Sequence, residues 1–215
     1  FIQKPLQNIP ALVTSGEILD IDCEADPGTT GCGDQLVQGN KIIDLSVTSA
    51  TYDPATHWWR LQVDIPSVSL HELYDLRVFA AGGIDDVTRH AVQVNAEFKS
   101  NYSFSHITDP HLPDHTYPDS GGAVTDSTEM VDLRTIIEDL NVINPEFVLL
   151  TGDIINEGEL EDYLGWRSYT RTQRLLTEFE VPVFLIAGNH DIGGWDDTPP
   201  PDGTARRDWW RFFGW

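Results

Sequence analysis

The chain reads as an all-β unit followed by an α/β unit, and three observations predict that division. Up to about residue 99, apolar and polar side chains alternate with period two between turn signals, the pattern of half-buried strands. Beyond Lys99, strand-like runs alternate with helical patterns in the order β-α-β-α-β, which implies a parallel sheet with right-handed crossovers. The three strand-like runs of this second part, Tyr102 to Thr108, Phe147 to Thr151 and Val183 to Ala187, each lead into residues suited to chemistry. The expected domains are 1–99 and 100–215.

In the first part, Tyr74, Leu76, Val78 and Ala80 alternate with Asp75, Arg77 and Phe79, while His90, Val92, Val94 and Ala96 alternate with Ala91, Gln93 and Asn95. Turn signals fall at Asp53-Pro54, Gly82-Gly83 and Asp85-Asp86. With Leu12 to Val13, Glu17 to Cys23, Ile42 to Thr48 and Trp58 to Ile65, these make six or seven short strands, which predicts an immunoglobulin-like or fibronectin-like sandwich. In the second part, Asp126 followed by Glu129 has the form of a helix N-cap with its reciprocal partner. Met130, Leu133, Ile136, Ile137 and Leu140 then share one helical face, and Asn144-Pro145 ends the helix. A second helix from about Glu159 to Phe179 would bury Leu160, Tyr163, Leu164, Leu176 and Phe179, before Pro182 opens the third strand. Residues 191 to 203, rich in Gly, Pro and Asp, read as a loop beside the site. Trp209, Trp210, Phe212, Phe213 and Trp215 are at helical spacing and read as core.

Composition narrows the function. The 215 residues carry a formal net charge of -22, with 35 Asp and Glu against 13 Lys and Arg, so nothing here would neutralise the phosphates of a nucleic-acid duplex. No apolar run approaches the roughly 20 residues that span a bilayer. The sequence opens at Phe1 without a basic-then-apolar leader, as expected of a processed or shortened chain. Cys23 and Cys32 bracket a loop-like stretch of Asp, Gly and Thr with no nearby His or Cys to complete a metal site. A short-loop disulfide between them is the favoured reading, and with it a periplasmic or extracellular location.

The chemistry lies in three signatures at strand ends: Asp109-Pro110-His111, Gly152-Asp153 and Gly188-Asn189-His190-Asp191. Loops at the carboxyl edge of an α/β sheet gather at one place, so these groups can converge. If the chain stays extended past the first strand, Asp109 and His111 point the same way and can grip one ion. A carboxylate oxygen with an imidazole nitrogen suits Mn, Fe, Zn or Co better than Mg or Ca. Gly152 lets the backbone beside Asp153 approach closely. His106 reads as a packing residue within its strand and His115 as a solvated loop residue, while His57, His71 and His90 belong to the β half.

The order and spacing of the three signatures resemble the calcineurin-like metallophosphoesterase superfamily over residues 100 to 215. The resemblance implies an α/β fold that is the front part of a four-layer α/β/β/α sandwich, and hydrolysis of phosphate monoesters or diesters at a dinuclear centre. It further implies two divalent metal ions with a hydroxide held between them, bound through Asp109, His111, Asp153 and Asn189, with Asp153 bridging both. Asn189 and His190 would face a small phosphate-ester substrate, and His190 would help protonate the leaving oxygen. Purple acid phosphatases carry a Tyr three residues after the bridging Asp and lack the first-signature His. Asn156 occupies that offset here and His111 is present, so the chain is more similar to the cyclic-nucleotide and glycerophosphodiester branch.

Relatives of this kind use three further histidines after the third signature, and none follows His190 in this sequence. The expectation is that the carboxyl-terminal half of the catalytic domain is missing and that residues 1–215 alone are inactive. The competing reading is a non-catalytic binding or adhesion β-sandwich attached to an incomplete phosphoesterase half. Trp58 or Trp59 would be its platform, since neighbours on a strand face opposite ways.

Overall fold

The computed structural model describes residues 1–112, 128–156, 162–192 and 204–214. It divides into two compact units, Phe1–Asn101 and Tyr102–Trp215.

The first unit contains β1 (Ile2–Lys4), β2 (Ala11–Thr14), β3 (Ile18–Glu24), β4 (Gly33–Gln38), β5 (Lys41–Asp53), β6 (Trp58–Asp64), β7 (Leu73–Ala80) and β8 (Ile84–Asn95). They pair in the order β1-β3-β6-β5-β4-β7-β8-β2. The long β5 joins the two halves of this sheet: Lys41 to Leu45 pair with β4, and Ser46 to Asp53 pair with β6 across a register shift between Val47 and Ser49. Ile21, Leu61 and Val63 from one half and Leu36, Leu76, Val92 and Val94 from the other are fully or almost fully buried in one core. The sheet has therefore folded over so that its two halves share an apolar interior, which period-two strands achieve by placing every second side chain inward.

The alternation slips in β8. Ala91 and Val92 are both buried although they are neighbours, contrary to the expectation that Ala91 lies on the opposite face. His90 has φ 50, and the β7–β8 register shifts between Tyr74 and Leu76. A bulge at His90, whose backbone N–H donates to Asp75 Oδ1 at 2.8 Å, rotates the strand and turns both residues inward. Trp59 packs against the core and its indole N–H donates to the Asp26 carbonyl at 3.1 Å, while Trp58 is half-buried.

The second unit contains β9 (Phe104–Thr108), α1 (Thr128–Ile143), β10 (Phe147–Thr151), α2 (Asp162–Leu176), β11 (Val183–Ile186), the short α3 (Asn189–Ile192) and α4 (Thr204–Phe213). The sheet order is β11-β10-β9 and both pairings are parallel. Val148 and Leu150 of β10 share a face with Ile107 and Val183 and pack with Met130, Leu133, Ile137 and Leu140 of α1. Ile136, expected in that seam, is 42% exposed. The buried positions run 130, 133, 137 and 140, so Ile136 falls on the flank of the stripe.

On the other sheet face, Phe104 and Ile186 are exposed and the Phe104 and Phe147 rings stack at 5.3 Å. His106 lies on this face and is exposed, which corrects its reading as a packing residue; its Nε2 is 2.7 Å from Thr151 Oγ1. Leu176 and Phe179 are buried as expected, as are Trp209 and Phe213, but Trp210 is exposed. Asp126, His115, Leu160, Trp215 and most of the segment 191 to 203 lie outside the described residues, as do the side chains of Tyr163 and Leu164. No described helix is long and apolar enough to cross a membrane.

Candidate metal centre

The first and second signatures are stitched together by backbone hydrogen bonds that continue past the β9–β10 ladder. Asp109 N–H donates to the Thr151 carbonyl at 3.1 Å, His111 N–H to that of Asp153 at 2.9 Å and Leu112 N–H to that of Ile154 at 2.9 Å. Asn156 N–H returns the link by donating to the Leu112 carbonyl at 3.0 Å. The chain is not extended here, contrary to expectation: Asp109 and His111 have φ of 52 and 45, flanking Pro110. Asp and His tolerate this left-handed conformation better than most residues. The turn carries the His111 side chain to Asp153 while Asp109 lies over Gly152.

Two glycines are required by this packing. Gly152 has φ 74, and a Cβ there would meet Asp109 Oδ1 at 3.0 Å. A Cβ on Gly188 would collide with both the backbone N and the Oδ1 of Asp153, so only glycine admits the third signature so close to the second.

His111, Asp153 and His190 come together: one potential ligand atom from each lies within 4.8 Å of the others. The separation of His111 Nε2 from Asp153 Oδ2 is 3.6 Å. That is close to the roughly 3.4 Å between two ligands of one tetrahedral ion bound at about 2.1 Å each. The His111 and His190 rings meet edge to face with centroids 5.0 Å apart. Asp153 is buried and its Oδ1 accepts the His190 backbone N–H at 2.8 Å, leaving Oδ2 directed to His111. A carboxylate and two imidazoles held in this way fit a borderline divalent cation. Asp109 is exposed, with its Oδ2 accepting a short hydrogen bond from Thr108 Oγ1. Asn189 is exposed at the first position of α3.

The expected residues therefore divide. His111, Asp153 and His190 converge; Asp109 sits against Gly152 beside them, and Asn189 stands at the start of the turn that carries His190. Two residues that the sequence analysis named, without giving them a role, support the site. Asp191 is fully buried, with Oδ1 accepting the Ile155 N–H at 2.9 Å and Oδ2 the Gly188 N–H at 2.7 Å. Its carbonyl accepts the Tyr169 hydroxyl at 2.6 Å. Burial pushes the Asp191 carboxyl up to about 6, backbone donors from Ile155, Gly188 and Ile154 pull it down, and the Asp153 charge raises it. Asp191 thus ties the third signature to the second; its place at the end of Gly-Asn-His-Asp was the available signal. Asn156 is the other, and it touches both histidines.

Cys23 and Cys32, in the first unit, are free thiols in the structure and line one cavity with Ile2, Trp59, Leu61 and Val78. Burial, followed by the charge of Asp34, pushes the Cys23 thiol up to about 12.

Comparison with known proteins places these features. Residues 102–215, just over half of the chain, match the calcineurin-like phosphoesterase family model. A probable cyclic nucleotide phosphodiesterase of Vesicomyosocius okutanii subsp. Calyptogena okutanii is 33% identical over 91 residues, 42% of this chain and 34% of that protein. The 3',5'-cyclic adenosine monophosphate phosphodiesterase CpdA of Haemophilus influenzae is 30% identical over 88 residues, 40% of this chain and 28% of its own length. The chain thus spans about a third of the length of the curated relatives it matches. Among solved structures, the purple acid phosphatase PPD1 of yellow lupin (Lupinus luteus) aligns with 92% of this chain and 37% of its own at 10% identity, with a TM-score of 0.42. With the three signatures at the ends of three parallel strands and a family match across all of them, the chain belongs to the calcineurin-like phosphoesterase family.

Proposed function

We propose that the chain is part of a metal-dependent hydrolase of phosphate esters, with small phosphodiesters such as cyclic nucleotides as the favoured substrate class. The observation that carries this reading is the convergence of His111, Asp153 and His190, contributed by three separate signatures, onto one patch. The names of both sequence relatives support the choice of substrate class.

His111 and Asp153 would hold one divalent ion with Asp109 beside them, and Asp153 and Asn189 a second. Bound ions of this kind supply Lewis-acid stabilisation of charge on the phosphoryl oxygens. The chain's own residues do the rest. Burial of Asp153 and its fixed Oδ1 hold its carboxylate in one orientation, so no reorganisation is needed as charge develops. His190 donates Nδ1–H to the Asn156 carbonyl at 2.8 Å, so any proton it passes to a leaving oxygen comes from Nε2 of the doubly protonated ring.

For the first unit we propose an immunoglobulin-like sandwich. Support comes from the strand order, from parallel pairing of β2 with β8, and from Tyr74, whose hydroxyl donates to the Leu70 carbonyl at 2.7 Å near the start of β7.

The test is hydrolysis of cyclic AMP and of bis(p-nitrophenyl) phosphate by the full-length protein, with and without added Mn, Fe, Zn or Co. Metal-dependent turnover is expected. His190→Ala should lower turnover of the alkoxide-leaving substrate by about 10² to 10⁴ and spare much of the nitrophenolate reaction. No turnover of either ester with any of the four metals would contradict the proposal, and an equal loss on both esters would remove His190 from the proton-donor role.

A further inference from the structure

Asn156 stands three residues after Asp153 and is held from both sides: its N–H donates to the Leu112 carbonyl, and the adjoining Ile155 pairs with Leu112. From this fixed position it meets both site histidines. Its side-chain Oδ1 lies 3.2 Å from His111 Nδ1, and its backbone carbonyl lies 2.8 Å from His190 Nδ1. A carbonyl oxygen can only accept, so each Nδ1 carries the hydrogen. In each neutral ring the lone pair then belongs to Nε2, and His111 Nε2 is the atom 3.6 Å from Asp153 Oδ2.

We propose that Asn156 is a positioning residue that sets the tautomer and ring orientation of both His111 and His190, through its side chain for the first and its main chain for the second. The inference rests on the reading of this patch as a metal centre, which it deepens. An isolated neutral imidazole divides its proton between the two nitrogens, and only the ring with the lone pair on Nε2 offers that atom to an ion. A ligating histidine whose second nitrogen is anchored to a carbonyl is held ready for binding, and loss of such an anchor typically costs about 10- to 100-fold in metal affinity. One residue with two acceptors couples histidines from the first and third signatures to the second.

The two halves of the proposal separate experimentally, because Asn156→Ala removes Oδ1 and keeps the main-chain carbonyl. Long-range ¹H–¹⁵N correlation of the histidine rings, recorded without metal and above the usual histidine titration range, reads the tautomers directly. In the unaltered chain both rings should carry hydrogen on Nδ1. In Asn156→Ala, His111 should shift to a mixture while His190 stays on Nδ1, which also reports that the fold persists. Asn156→Asp, which keeps an acceptor at the same place, should restore His111. Mn titrated into the same three proteins should bind about 10- to 100-fold more weakly to Asn156→Ala and recover with Asn156→Asp. Unaltered protein with hydrogen on Nε2 of either ring, or Asn156→Ala with His111 still wholly on Nδ1, would overturn the proposal. Predicted tautomers in a protein that binds no Mn would leave Asn156 in its positioning role and overturn the metal reading instead.

Discussion

Asp34 carries a burial cost that its surroundings do not offset. It points inward from β4 at 2% exposure, and neither carboxylate oxygen has a hydrogen-bond partner among the described residues. Burial pushes its carboxyl from 3.8 up to about 6. Between those two values the folded chain binds more protons at this site than the unfolded chain, so stability falls as pH rises through the window and levels off above it. At about 1.4 kcal/mol per pH unit of displacement the full cost is about 3 kcal/mol. Asn at this position has no charge to bury. Urea unfolding of Asp34→Asn and the unaltered protein should therefore give a difference that is small near pH 3.5 and grows in favour of the variant to about 3 kcal/mol above pH 6.5. A difference that stays flat between pH 4 and 7 would show that Asp34 is solvated or paired. This residue was not legible in the sequence, because an inward Asp in Gly-Asp-Gln-Leu-Val-Gln breaks the pattern that identifies inward positions. Nor was the left-handed turn at Asp109 and His111, which is fixed by hydrogen bonds to a segment some forty residues away.

At the scale of elements, strands and α1 were largely legible, because period-two and period-3.6 patterns record which side of an element faces a core. The bulge at His90 was not, since it depends on registration with Tyr74 and Leu76 of the neighbouring strand. The exposure of His106 was not legible either: it alternates with Ile107 like any strand residue, and its exposure depends on what packs on that face. The loop between β3 and β4 joins Cys23 to Cys32, and both thiols line the same cavity. We propose that they pair under oxidising conditions. Closing a loop of this length would stabilise the unit by about 2 to 3 kcal/mol on the chain-entropy estimate, less any strain. Protein treated with a small-molecule disulfide should lose both thiols together, unfold at higher urea, and recover two thiols on reduction. Formation of two stable mixed disulfides in place of one internal bridge would contradict the pairing.

At the scale of the molecule, two compact units carry different information. The three signatures read as a set because they close three successive strands, and parallel pairing at Thr108, Thr151 and Ile186 brings those ends side by side. Order along the chain was enough to anticipate the family; it could not reveal that His190 joins His111 and Asp153, nor that Asp191 and Asn156 brace them, because those contacts arise only when the loops fold back. The relatives extend well beyond the matched region. The full-length protein is therefore the form in which the centre should be assayed.

Whether this patch holds divalent metal is read by elemental analysis of the full-length protein and its Asp153→Ala variant after dialysis. The expected result is two transition-metal ions per unaltered chain, fewer in the variant, and activity restored to stripped unaltered protein by Mn or Zn. Unaltered protein that retains no transition metal and regains no activity with either ion would contradict it.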